Sequence, residues 1–292
     1  MKKTIVAAAV AAVFAAPAMA DVSISGQINA EISSLGGNGQ NSAVNTDINF
    51  SGSEDLGNGM KASFKIVRTS DTDGTTGADQ GADMNVGLSG DFGSITLGKF
   101  EPYSISNISS FQNIDASEQG DIEDTNGLDG ATDGGIRYVS PSMNGLSVGV
   151  EGFRDGNETG TDDFSTTTFF AAYSANGLTV KAAQETQSAS SEVKVTSIAA
   201  SYKMGDFEFR VANIDNDNGS SADVTSTFVG AKYTMGANEI AVGSLDSDDT
   251  TVDGDTIVSL KHSLSKNTSV YVVADHSDSA ASQTVIGMKH SF

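Results

Sequence analysis

The last nine residues, Thr284 to Phe292, alternate between two sets of side chains. Successive residues of an extended strand point to opposite faces of a sheet. One face would carry Ile286, Met288, His290 and Phe292, and the other would carry Val285, Gly287, Lys289 and Ser291. The segment therefore predicts a terminal β-strand with one apolar face and an aromatic last residue.

The first twenty residues have the composition of a secretion signal. Met1 to Lys3 is basic, Ile5 to Ala16 is apolar but too short to span a bilayer as a helix, and Ala18 to Ala20 is an Ala-x-Ala cleavage site. We predict that residues 1–20 are removed and that residues 21–292 form a single domain. Export and the terminal strand together predict a β-barrel in the outer membrane, closed because lipid cannot satisfy a free sheet edge. A secreted soluble protein is the alternative.

The composition favours a barrel and limits its partners. The chain has 3 Pro, no Cys and 38% hydrophobic residues. Few prolines suit long hydrogen-bonded strands, and this apolar content is normal for a barrel with one apolar face and a wet lumen. Without Lys2 and Lys3 of the leader, 14 basic residues remain against 38 acidic ones, a net charge near −24. This charge argues against nucleic acid as a partner and favours cations.

Regular alternation continues along the whole chain after the leader. Each alternating segment has about 6–12 residues, which brackets the roughly 9–11 that a tilted membrane strand needs. The predicted strands are Val22–Ile32, Val44–Ser51, Met60–Arg68, Ala82–Ser89, Ser94–Phe100, Gly135–Ser140, Leu146–Arg154, Phe164–Ser174, Leu178–Glu185, Val193–Lys203, Phe207–Asn213, Thr225–Tyr233, Glu239–Leu245, Asp255–Leu264, Ser269–His276 and Ser282–Phe292. The pattern predicts an all-β fold, a transmembrane antiparallel barrel of about 16 strands.

The breaks between these segments alternate in length. Short ones, such as 91–93 and 176–177, contain the Gly, Asn and Asp residues of tight turns. Longer ones, such as 69–81 and 246–254, are polar and acidic. Short turns on one rim and long loops on the other are typical of an outer-membrane barrel.

One break, residues 101–133 after the fifth predicted strand, is much longer than the others. Loops of this length inside a compact fold are usually functional. It contains the acidic residues Asp115, Glu118, Asp121 and Glu123, and neither Lys nor Arg. We expect this loop to fold into the barrel and form the acidic side of a constriction. A solvated surface loop is the alternative.

Five short motifs follow one another along the chain. They are Gly52–Ala62 with Phe64, Ser94–Lys99, Ile136–Gly145, His262–Thr268 with Tyr271, and Lys289–Phe292. Together they resemble motifs of the Gram-negative general porin family, although His262 stands where that family usually has Tyr. The resemblance implies a homotrimeric diffusion channel with a constriction loop after the fifth strand.

The resemblance also implies a basic wall that faces the acidic loop. This wall would include Lys99 and Arg137, and the strand phases place Lys61 and Lys65 on the same inward face. Opposed charges across a narrow lumen order water and penalise apolar solutes. The loop also contains Asp124 and Asp129, so its acidic groups outnumber the four basic ones of this wall, and we predict a weakly cation-selective channel.

The terminal strand is expected to carry the insertion signature, His290 and Phe292, with the Phe292 carboxylate near the Asp21 amine. As partners we expect further copies of the chain in a homotrimer, outer-membrane lipids and lipopolysaccharide, and the barrel assembly machinery. Small hydrophilic solutes and ions would pass through the lumen.

The inventory of reactive side chains argues against an enzyme. There is no Cys, and His262, His276 and His290 occupy outward phases of their strands. We therefore predict no catalytic residue, no cofactor and no metal.

Two other classes stay open, an occluded outer-membrane barrel acting as an adhesin or structural anchor, and a soluble acidic β-protein. Bilayer conductance distinguishes the first from a channel, and resistance of unboiled protein to SDS distinguishes the second from a barrel.

Overall fold

A computed structural model describes residues 21–35, 39–71, 80–112, 132–154, 164–188, 192–217, 219, 223–248, 254–277 and 282–292. The predicted leader, residues 1–20, lies outside them. The described residues form sixteen strands, namely β1 (Asp21–Leu35), β2 (Gly39–Gly57), β3 (Met60–Asp71), β4 (Gln80–Gly90), β5 (Gly93–Phe100), β6 (Thr132–Val139), β7 (Leu146–Phe153), β8 (Thr166–Ala175), β9 (Leu178–Gln187), β10 (Val193–Met204), β11 (Phe207–Asp217), β12 (Val224–Met235), β13 (Asn238–Ser247), β14 (Asp255–Ser263), β15 (Thr268–His276) and β16 (Gln283–Ser291). Between β5 and β6 lies one helix, α1 (Tyr103–Gln112).

The strands form a closed barrel in which each strand pairs with its neighbours in sequence. Closure joins β1 to β16 in antiparallel register, from Gln27 opposite Ser291 to Leu35 opposite Gln283. The outer face is apolar, and Ile24, Phe169 and Ile286 are 61%, 65% and 64% exposed on it. The prediction of an all-β transmembrane barrel of sixteen strands is confirmed. No helix in the described ranges is long and apolar enough to cross a membrane.

Several strands extend beyond the predicted segments. Alternation predicted a second strand at residues 44–51, whereas β2 runs from residue 39 to residue 57. Its pairing with β3 continues as far as Gly57 opposite Met60. Near the turn, backbone pairing persists although apolar residues no longer alternate, so a pattern based on apolar residues ends too early.

Tight turns join the strands at the rim where β16 ends. Asn58, Asn144 and Asn176 have φ of 53°, 52° and 53° there. Asn tolerates this left-handed region better than most residues because its short polar side chain can bond locally. The predicted short turns therefore lie on one rim, which corresponds to the periplasmic side of an outer-membrane barrel.

Candidate functional site in the barrel lumen

Helix α1 lies inside the barrel. The chain turns through Pro102 into α1, which packs on the inward faces of β8 to β12. Ile105 and Phe111 of α1 join a buried apolar cluster on the inner wall. The wall residues of this cluster are Val195, Ala199, Ala212, Ile214, Phe228, Ala241 and Leu245. The helix therefore covers one side of the lumen and narrows it.

Two buried carboxylates contact the first turn of α1. The Tyr103 amide donates to Glu151 Oε1 at 2.6 Å, and the Ser104 hydroxyl donates to a Glu185 carboxylate oxygen. These glutamates lie on the inner faces of β7 and β9. Negative charge is favourable at a helix N-terminus, where the first amide groups have no partner within the helix.

Arg137 of β6 pairs with one of these carboxylates. Its Nε donates to Glu151 Oε2 at 2.5 Å, and its Nη2 donates to the Glu101 carbonyl at 2.6 Å. The guanidinium lies 4.4 Å from the centroid of the Phe100 ring. Glu151 is only 2% exposed, so Arg137 supplies the opposite charge that a buried carboxylate requires. We call Arg137, Glu151 and Glu185 the N-terminal clamp.

The ring of Tyr103 anchors the same end of the helix. It stacks on Phe170 of β8 with ring centroids 3.9 Å apart and an interplanar angle of 15°. Burial raises the pKa of the Tyr103 hydroxyl above its usual value, although the positive charge of Arg137 partly opposes this. Tyr103 therefore remains a neutral phenol, and its contribution is stacking and the amide hydrogen bond.

Two basic residues contact the last turn of α1. Lys181 Nζ donates to Ser110 Oγ at 3.2 Å and lies 5.2 Å from the centroid of the Phe111 ring. Arg210 Nη1 donates to the Ser110 carbonyl at 3.4 Å. Positive charge is favourable at a helix C-terminus. Charges of opposite sign thus fix the two ends of α1 against the inner wall.

A ladder of alternating charges crosses the inner wall from β11 to β14. Arg210 Nε lies 2.8 Å from Glu208 Oε1, and Lys232 Nζ lies 3.7 Å from Glu208 Oε2. Lys232 Nζ also lies 3.6 Å from Glu239 Oε2, and Lys261 Nζ lies 2.6 Å from Glu239 Oε1. Three basic groups share two carboxylates, so this charge ladder has a net positive charge.

The predicted basic residues occupy different surroundings. Lys65 pairs with Asp83 of β4 at 2.6 Å, and Lys61 is exposed on β3. Lys99 lies opposite Met84, which is 43% exposed on the outer face, at an irregularity in the pairing of β5 with β6. Arg137 belongs to the N-terminal clamp and contacts the segment that leads into α1. The structure thus describes the positions of all four residues, and two of them, Lys65 and Arg137, form ion pairs with carboxylates.

The predicted acidic residues of the constriction, Asp115, Glu118, Asp121 and Glu123, lie outside the described residues. Sequence reasoning missed α1, Glu151 and Glu185. One signal for a covered wall was available, because Val195, Ile214 and Phe228 occupy phases that should be polar in a water-lined barrel.

Phe292 completes the closure of the barrel. Its amide donates to the Gly26 carbonyl, and its own carbonyl accepts from the Gly26 amide, both at 2.9 Å. A Cβ at Gly26 would lie 2.3 Å from the Asp47 carbonyl oxygen and 2.8 Å from the Phe292 ring, so only glycine fits at this position. His290 Nδ1 lies 2.9 Å from Thr268 Oγ1 on β15.

The expectation that the Phe292 carboxylate lies near the Asp21 amine is wrong. Phe292 pairs with Gly26, and from Gly26 the strand β1 runs roughly 17 Å further to Asp21 as extended chain.

The family model and the curated proteins that match this chain describe the same class of protein. A family model described as Gram-negative porin matches residues 7–282. Major outer membrane protein P.IB of Neisseria meningitidis serogroup B / serotype 15 (strain H44/76) is 36% identical over 112 residues, covering 34% of this chain and 34% of that protein. The same protein from serogroup B is 34% identical over 112 residues. The chain therefore spans about a third of the length of the curated relatives that it matches.

Solved structures with the same fold cover nearly the whole chain. The Salmonella typhi OmpF complex with daunomycin has a TM-score of 0.77 at 14% identity, covering 93% of this chain and 97% of the other. The anion-selective porin from Comamonas acidovorans has a TM-score of 0.73 at 19% identity, covering 94% of this chain and 100% of the other. At these identities the likeness establishes the fold alone.

Proposed function

Because the chain belongs to the Gram-negative porin family, whose location is the outer membrane, we propose that it forms a water-filled channel there. Ions and small hydrophilic solutes would diffuse through it passively. The observation that carries this proposal is a closed barrel whose lumen is narrowed on one side by α1 and polar on the other. A diffusion pore needs a wet lumen, a constriction and charge, and no catalytic group.

The polar side of the lumen lies on β1 to β3. Gln27 Nε2 donates to Asp47 Oδ2 at 2.9 Å, and Thr69 Oγ1 donates to Asp47 Oδ1 at 2.9 Å. The Ser23 and Ser51 hydroxyls lie 3.0 Å apart. Side chains that bond to one another along the wall, and can also bond to water, permit a hydrated solute to pass without large desolvation.

Conductance across a planar bilayer tests the channel. The purified protein should give stepwise, roughly ohmic currents in potassium chloride, and the unboiled sample should migrate on an SDS gel as a folded barrel. A folded barrel without conductance would favour the occluded adhesin or anchor instead.

Weak cation selectivity is the finer proposal. The strongly acidic chain supports it, and so do the pairs Lys65–Asp83 and Arg137–Glu151, which neutralise two basic groups of the lumen. The positive charge ladder opposes it, which is why the preference should be weak. The Comamonas porin is described as anion-selective and shares this fold, so the fold by itself does not imply cation selectivity.

The acidic side of the constriction is proposed to be Asp115, Glu118, Asp121 and Glu123. The basic side is proposed to be Lys61, Lys65, Lys99 and Arg137. Neutralising the four acidic residues together should shift the reversal potential in a salt gradient toward that of an anion-selective channel. An unchanged potential would show that these residues do not line the pore.

Assembly as a homotrimer is proposed from the outer face. Its four tyrosines, Tyr138, Tyr173, Tyr202 and Tyr233, lie on β6, β8, β10 and β12, each close to a periplasmic turn. Tyrosine girdles mark the level of the lipid headgroups, so this sector faces lipid.

The opposite outer sector is the proposed contact between subunits. There Ile24, Ile28, Ile48 and Phe50 of β1 and β2 form an outward apolar surface without tyrosine. Native mass measurement and cross-linking test this proposal, and a monomer under all mild detergent conditions would overturn it.

His290 and Phe292 are proposed as the signature for the assembly machinery, and lipopolysaccharide is proposed as a neighbour of the lipid-facing sector.

A further inference from the structure

The turn between β14 and β15 forms a basic cavity at the periplasmic rim of the lumen. The cavity has a volume of about 250 Å³. Three lysines line it, Lys261, Lys266 and Lys289, and no acidic residue is among its lining side chains. The other lining residues carry hydroxyl or amide groups, namely Ser263, Ser265, Asn267, Thr268, Ser269 and Ser291. We call this space the rim cavity.

The shape of the rim cavity is fixed by hydrogen bonds within the turn and between the turn and β16. The Asn267 and Thr268 amides donate to Ser265 Oγ at 3.2 and 3.1 Å. The Ser265 amide donates to the Thr268 carbonyl at 3.1 Å. The Ser291 amide of β16 donates to the Asn267 carbonyl at 2.8 Å, which ties the turn to the last strand. Lys266 therefore belongs to a turn that is held by hydrogen bonds within itself and by one hydrogen bond to β16.

The charge ladder adds to the positive charge of the rim cavity. Lys261 Nζ lies 2.6 Å from Glu239 Oε1, but Lys232 Nζ also lies 3.6 Å from the other oxygen of that carboxylate. One negative charge is thus shared between two ammonium groups. Lys289 stands on the inward face of β16, opposite Ser269 of β15. The lining of the cavity thus contains three ammonium groups and no carboxylate.

We propose that the rim cavity binds a phosphate dianion, as a weak subsite at the periplasmic end of the channel. Ammonium groups and hydroxyls are donors to phosphate oxygens, and hydrogen bonds between charged groups are stronger than neutral ones. A dianion gains more than chloride from several lysines at once because its charge is doubled. The proposal goes beyond passive diffusion, since a barrel could conduct ions without this site.

Titration with inorganic phosphate tests the site directly. The probe is added to the detergent-solubilised full-length protein at constant ionic strength and about pH 8, where most inorganic phosphate is the dianion. Phosphorus NMR should show saturable binding to the wild type. The double variant Lys266→Gln/Lys289→Gln should bind about tenfold more weakly, because two charge-assisted contacts are lost.

The matched control is Lys203→Gln. Lys203 lies beside the β10–β11 turn at the same rim, but it does not line the rim cavity. This variant should bind phosphate with an affinity within about twofold of the wild type, since distant exposed charges are screened. Equal weakening in both variants, or no saturation in the wild type, would overturn the proposal.

Conductance in potassium chloride, measured on the same preparations, separates this proposal from the proposed function. Saturable phosphate binding without conductance would support the rim cavity and contradict the channel. Normal conductance without phosphate binding would contradict the rim cavity alone. Migration of unboiled protein on an SDS gel confirms that each variant is folded before it is titrated.

Discussion

The inner faces of β1–β3 and β10–β13 border the same lumen but differ in composition. On β1 to β3 the inward residues, such as Ser23 and Gln27, bond to neighbouring polar side chains. On β10 to β13 they include Val195, Ile214 and Phe228, which are 0%, 0% and 1% exposed under the cluster around α1. One barrel therefore uses its inner face both as a water-lined wall and as a packing surface. Where α1 covers the wall, apolar residues replace the polar ones.

Inserting a carboxylate into each wall tests the contrast most severely. Ile214→Asp places an unpaired charge in a fully buried apolar cluster and should destabilise the fold by about 4 kcal/mol or more. Asn49→Asp on the polar wall should change stability by no more than about 0.5 kcal/mol, because water can solvate the new charge. The measurement is the temperature at which unboiled protein loses its folded migration on an SDS gel. Similar shifts in both variants would contradict a difference between the walls.

Breaking the N-terminal clamp should have the next largest effect. Arg137→Ala leaves Glu151 buried without its cation, at a cost of about 3–5 kcal/mol. The first turn of α1 should then leave the wall more often, so single-channel currents should become larger and noisier.

The double variant Arg137→Ala/Glu151→Gln provides the control for this prediction. Removing both charges avoids the unpaired carboxylate, so its loss of stability should be smaller than the sum of the two single losses. Strict additivity would mean that Arg137 and Glu151 do not act as a pair.

The strand count was predictable because every strand has an apolar outer face, and a period of two is visible without knowledge of the neighbours. Helix α1 was not predictable, because Tyr103–Gln112 is rich in Ser and Ile, which are weak helix formers. Short helices of this kind depend on tertiary packing. The clamp was equally hidden, since Glu151 and Glu185 reach α1 only after the barrel closes.

The inward direction of Lys61, Lys65, Lys181, Arg210, Lys232, Lys261 and Lys289 followed from the strand phases. Their partners did not, because pairing depends on the register between strands. Glu208 lies opposite Lys232 on the neighbouring strand, and Glu239 lies opposite Lys261. Phase gives the face of a charge, whereas register decides whether that charge is neutralised.

The last turn of α1 gives a smaller test of the covered wall. Lys181→Met removes the positive charge near the helix C-terminus but keeps most of the apolar side chain above Phe111. Stability should fall by about 1 kcal/mol, the size of a favourable helix-terminus charge. Lys65→Met, on the uncovered wall, is the matched control and should change stability by less, since its ion pair is half exposed. The reverse order would show that α1 gains nothing from Lys181.

The smallest expected effect concerns selectivity, and its sign should depend on whether a positive or a negative charge is removed from the wall. Lys65→Gln leaves the Asp83 charge unpaired on the polar wall, so the channel should become more cation-selective. Glu239→Gln leaves Lys232 and Lys261 without their shared carboxylate, so the channel should shift toward anions. Each change should alter the cation-to-anion permeability ratio by about twofold, equivalent to about 0.4 kcal/mol. The reversal potential in a salt gradient measures both.

Measuring both variants at two ionic strengths shows whether their selectivity shifts are electrostatic. Screening acts over about 10 Å at 0.1 M salt but only about 3 Å at 1 M. Both shifts should therefore shrink in concentrated salt if they arise from wall charges acting across the lumen. A shift that persists at 1 M would instead indicate a change in pore shape, for example a displaced α1. Shifts of the same sign in both variants would mean that these wall charges do not act on the permeating ions, and the electrostatic part of the comparison would fail.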